Sequence, residues 1–133
     1  MMAFLGEIQG FLKEAGEDEA MAPFAKPLQT ATGDLQQATM WLMQNAMGNP
    51  DNAGAGATDY MHLLGLVALG YMWCRIARAA QARKTEGGDT ARWEAKLVTG
   101  RFFMERTLPE TALRLARIKA GSQTTMALEA EAF

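Results

Sequence analysis

With 133 residues, 49% of them hydrophobic and 21% charged, the chain can bury one core and lies far from the high-charge composition of disordered segments. A single cysteine, Cys74, excludes an internal disulfide, and a single histidine, His62, excludes any site built on a histidine pair. The net charge of −2 hides an asymmetry: residues 1–66 hold two basic and eight acidic side chains, residues 67–133 eleven basic and seven acidic, so the halves attract each other.

The N-terminus has no basic stretch followed by an apolar run, so no secretory leader is expected, and cytoplasm is the default location. A short first helix over about Ala3–Ala15 puts Phe4, Ile8, Phe11 and Leu12 on one face. Glu14, Glu17, Asp18 and Glu19 then read as a solvated turn. From Met21 the series Phe24, Leu28, Ala31, Leu35, Ala38, Leu42 advances by threes and fours, the mark of a seam against a partner helix. Pro23 and Pro27 lie near its start, so regular helix is expected from about Lys26 to Met47. Gly48-Asn49-Pro50-Asp51-Asn52 ends it, with Gly48 suited to a left-handed cap, and Asn52–Ala57 reads as a Gly/Ala-rich turn.

The third helix runs through Tyr60–Cys74, fifteen residues without a formal charge and apolar around most of their circumference. A membrane span needs about 20 apolar residues, so this is read as a core helix and no span is expected. Gly65 and Gly70 lower helix propensity, which predicts close approach of a neighbouring backbone. After Glu86-Gly87-Gly88, Asp89 or Thr90 can cap a fourth helix, whose seam is Trp93, Leu97, Gly100, Met104, Leu108, Thr111, Leu115 and Ile118. Pro109 is expected to kink it and Gly121 to end it, leaving Ser122–Phe133 as an irregular tail. Strand signals are missing. The fold class is therefore all-α: an antiparallel four-helix bundle of one short and three long helices, a single domain over residues 1–133.

Chemistry is harder to place. A di-iron carboxylate bundle needs two Glu-x-x-His-type pairs on facing helices, and Asp59-Tyr60-Met61-His62 supplies one. His62 is better read as a bundle histidine hydrogen-bonded to a neighbour. Cys74 lies about 18 Å along the helix from His62, beyond the reach of that base, and reads as a small buried hydrophobe. Gly54-Ala55-Gly56-Ala57-Thr58-Asp59 follows no strand and lacks the Gly-Lys-Ser/Thr ending of a phosphate loop. The basic run from Arg75 to Lys119 is interrupted by Glu94, Glu105 and Glu110 in a chain of pI near 5.4, which argues against nucleic acid. No catalytic, cofactor-binding or metal-ligating residue is assigned.

Three stretches together carry a resemblance. Ala38-Thr39-Met40-Trp41-Leu42, the run Asp59 to Trp73, and Ala95-Lys96-Leu97 with Arg101-Phe102-Phe103-Met104-Glu105-Arg106-Thr107-Leu108-Pro109-Glu110 resemble the C-terminal extension domain of a bacterial branch of the acyl-CoA dehydrogenases, the methylthiopropanoyl-CoA dehydrogenase type. The tail, with Ile118-Lys119-Ala120-Gly121, Met126-Ala127-Leu128 and Glu131-Ala132-Phe133, is similar too. The resemblance implies a fragment of a longer enzyme whose flavin site, acyl-CoA pocket and catalytic glutamate precede this region. FAD then belongs to the parent, the partners are the parent's catalytic domains and further copies of the chain, and this chain alone is not catalytic. A free-standing helical interaction protein that self-associates through the third helix or the aromatics of the fourth is the alternative.

Overall fold

A computed structural model describes all residues 1–133, and it is all-helical. Helix α1 spans Met2–Ala15, α2 Ala22–Asn45 and α3 Pro50–Glu86; the fourth rod is built from α4 (Thr90–Phe102), a π turn over Phe103–Thr107, and α5 (Glu110–Ala120). Single 3-10 turns occupy Glu19–Met21 and Ala130–Ala132. Helix α2 lies antiparallel to α3, and the fourth rod lies along both. Short α1 runs parallel to α3, with Phe4 and Phe11 edge-on to Tyr71 and Glu14 bonded to Arg78.

The predicted seams form the core, with Leu42, Trp93 and Leu115 only partly buried against it. Phe24, Leu28, Ala31, Leu35 and Ala38 of α2 are all buried, as are Leu97, Gly100, Met104, Leu108, Thr111 and Ile118 of the fourth rod. Ile8, Leu63, Val67 and Cys74 close the centre from α1 and α3. Each large aliphatic side chain withdrawn in this way contributes roughly 1.5–3 kcal/mol, an upper bound because the unfolded chain already hides some apolar area.

Four local expectations are corrected. Helix α2 starts at Ala22, not near Lys26: Pro23 sits in the first turn, where its missing amide hydrogen is no loss, and burial of Met21, Phe24 and Ala25 holds the turn despite Pro27 inside the helix. It ends at Asn45, and Gly48 is not left-handed, since positive φ is confined to Gly87, Gly88 and Gly121. The Gly/Ala-rich segment Asn52–Ala57 is helix, because Asn49 caps α3 by accepting from the Asp51 amide while Pro50 and Asp51 fill the first turn. The third helix is therefore 37 residues long. Gly70 makes its close approach to side chains, Leu108 and Leu28, rather than to a backbone, and Gly65 makes none: it faces solvent with open space around it.

The rod is interrupted at Pro109, but the irregularity begins upstream. Leu108 donates its amide to the Phe103 carbonyl, five residues back, at 2.9 Å. The wide turn brings Phe103 into an offset stack with Trp73, ring centroids 6.4 Å apart. Glycine is required just before it, since a Cβ on Gly100 would stand 2.9 Å from the Phe24 ring. Asp89 caps α4 as expected, accepting from the Arg92 amide. The tail is irregular beyond Gly121, yet its first residue is tied down: Ser122 donates its amide and hydroxyl to Asn52 Oδ1, both at 2.9 Å.

Candidate docking surface

The reactive side chains do not converge. Cys74 is fully buried in α3, its Sγ donating to the Phe24 carbonyl at 3.4 Å, and burial pushes its pKa up to about 12. A thiol held that high supplies no thiolate for attack at neutral pH. His62 is not the packed bundle histidine expected: it is exposed. It follows Asp59 by three residues on a helix whose circuit takes 3.6, yet Asp59 turns toward α5 and His62 toward solvent. Asp59 accepts from Arg114 Nη1 at 2.7 Å, with Arg117 at 3.8 Å, and Arg114 also reaches Glu110. Donating to Asp59, then to Glu110, raises the pKa of the Arg114 guanidinium. This network ties α5 to the N-terminal part of α3. The acidic turn is solvated, with Asp18 capping the 3-10 turn and Glu14 paired to Arg78. Gly54–Asp59, compared above with a phosphate loop, lies within α3.

What the bundle does present is apolar surface. On α4, Val98 and Phe102 point outward, 50% and 62% exposed, opposite the buried Leu97, Gly100 and Met104. Arg101, Glu105 and Arg106 flank them and line a shallow groove. Aromatic and arginine side chains of this kind are enriched in the centres of protein interfaces. Trp41 lies partly buried against the core, beside Gly121. A second groove, where the start of α1 meets the end of α2, is lined by Met1, Met2, Leu5, Met40 and Met43.

On α3 the exposure is more extensive. By length and hydropathy the helix meets the requirement for a membrane span, with a mean hydropathy of 1.3 over its most apolar window. Its inner face nevertheless supplies Leu63, Val67 and Cys74 to the core, which is the role of a bundle helix. The opposite face keeps Met61, Leu69, Met72 and Ile76 exposed at 62%, 53%, 41% and 40%. The expectation of a helix buried on several sides is thus met on the inner side and left open on the outer one. The helix begins ten residues earlier than Tyr60, where its apolar run starts. Asn49-Pro50-Asp51, a cap residue followed by proline and an acid in the first turn, was the available signal.

Comparison with known proteins identifies the family. The family described as acetyl-CoA dehydrogenase C-terminal like matches residues 4–129. Over 77 residues, 58% of this chain, the sequence is 32% identical to the 3-methylmercaptopropionyl-CoA dehydrogenase of Ruegeria pomeroyi, and the match covers 13% of that protein. The chain therefore corresponds to a small part of that relative's length. With nearly its full extent matched and a helical bundle to fit, this chain belongs to the acetyl-CoA dehydrogenase C-terminal-like family.

Proposed function

We propose that the chain is the accessory C-terminal bundle of an FAD-dependent acyl-CoA dehydrogenase, with the chemistry carried by a larger body that oxidises an acyl-CoA to the 2-enoyl-CoA. The flavin in that body would take up the electrons of the oxidation. This chain's own residues do not fit the flavin: the grooves beside Phe102 and Met43 are open and shallow, not the enclosed, polar-tipped slot that a ring system of that size needs. Its contribution is to pack against the body and exclude water from the seam.

The observation that carries this reading is the outward pair Val98 and Phe102, two large apolar side chains left in solvent beside Arg101 and Arg106 on a rod whose opposite face is fully packed. A central apolar anchor with a charged rim is the anatomy of a docking patch. The family match supports the identity of the partner. Co-expression of this chain with the dehydrogenase body encoded with or beside it tests the reading: the two should copurify, and Phe102→Asp should weaken the complex at least tenfold without moving the bundle's melting temperature. An unmodified chain that does not associate with the body would overturn the proposal.

A further inference from the structure

The outer face of α3 is too regular to be incidental surface. Read at 100° per residue, the positions diametrically opposite the core run Asp51, Gly54, Thr58, Met61, Gly65, Leu69, Met72, Ile76, Ala79, Arg83, in steps of three and four, and all are exposed. Between Gly54 and Ala79, about 37 Å of helix, that row holds no charge. Asp51 and Arg83 bracket it, and Arg83 keeps only a loose contact with Glu86, 3.4 Å away on the same exposed turn.

The row is also its own complement when reversed. Laid antiparallel on a copy of itself with a two-fold axis near residue 67, it sets Asp51 against Arg83, Gly54 against Ala79, Thr58 against Ile76, Met61 against Met72 and Gly65 against Leu69. Opposite charges meet at both ends, small residues meet large ones near the axis, and the two helix dipoles oppose each other. Gly65, which has no packing reason inside the bundle, leaves the space that a partner's Leu69 fills. We propose that the outer face of α3 is a two-fold contact with a second copy of this chain, in an antiparallel helix pair. It uses a different face from the Val98–Phe102 patch, so it stands whether or not a dehydrogenase body docks there.

The test is the mass of the purified 133-residue chain by sedimentation equilibrium, which needs no other protein. The expected mass is twice 14.5 kDa. Asp51→Arg and Arg83→Asp should each raise the dissociation constant about tenfold by setting like charges opposite one another at two symmetric places, and the double reversal should restore the dimer. Leu69→Glu, at a solvent-facing position, should give a folded monomer with unchanged helical circular dichroism. A chain that stays at 14.5 kDa throughout, or a dimer indifferent to Leu69→Glu, or charge reversals that fail to compensate, would each overturn the proposal.

Discussion

Replacing Gly100 with alanine separates helix propensity from packing. In an open helix this change stabilises by about 1 kcal/mol, because alanine loses less backbone entropy than glycine on folding. At Gly100 the new Cβ would lie 2.9 Å from Phe24 Cε1 and 3.3 Å from Trp73 Cε3, and Phe24 is only 2% exposed, so its ring has no free volume to move into. Overpacking of this kind costs about 1–3 kcal/mol, leaving a net loss near 1 kcal/mol and a melting temperature lower by roughly 3–4 °C for a domain of this size. Gly10→Ala, in the middle of α1 with nothing within 4 Å of the added carbon, is the control and should rise by a similar amount. Differential scanning calorimetry of both variants, with Phe24→Leu alone and combined with Gly100→Ala, completes a double-mutant cycle. The combined variant should recover about 1 kcal/mol relative to additivity. If Gly100→Ala stabilises as much as Gly10→Ala, the close approach of α2, α3 and α4 at this point is wrong.

Burial of Cys74 makes stability fall at high pH. Its pKa rises from an ordinary 9.0 to about 12, so the neutral thiol favours the folded state fully below pH 9, and that advantage is lost as pH climbs toward 12. Between pH 8.5 and 10.5 urea unfolding should lose about 2 kcal/mol more in the parent chain than in Cys74→Ala. Asn52→Ala removes the acceptor of both Ser122 bonds and the amide that donates to the Asn45 carbonyl at 3.0 Å. It should cost about 2 kcal/mol and expose Met126 and Leu128 to chymotrypsin at least tenfold faster, read by mass spectrometry of the released tail.

Much of the fold was legible because its seams obey one rule. Leu28, Leu35 and Ala38, or Leu97, Met104 and Ile118, recur at helical spacing and are buried for that reason. What misled was local chemistry. Glycines and alanines at 53–57 suggested a turn, yet a capping asparagine and an N-terminal proline outweigh weak propensity once Gly56 packs against Leu42 and Ile118. Pro27 suggested a late start to α2, and tertiary burial of Phe24 overrode it. His62 was read inward because its neighbours in sequence are apolar, but a helix apolar on both faces gives no phase from which to tell inside from outside. The docking patches were half legible for the same reason: the aromatics of the fourth helix stood out as a contact candidate, while the outer row of α3 appears only after Leu63, Val67 and Cys74 are known to face the core.

The π turn at Phe103–Thr107 is in effect an extra residue lodged in a straight rod. A residue removed from it turns everything that follows by about 100°, carrying Ile118 away from the core and Arg114 away from Asp59. Insertions and deletions should therefore be tolerated unequally along this protein. A residue gained or lost in the exposed stretch between Asn45 and Asn49 changes only a connection, whereas losing Glu105 would regularise the helix and swing α5 by more than a quarter turn. A deletion that makes the local structure more ideal would be the more damaging one.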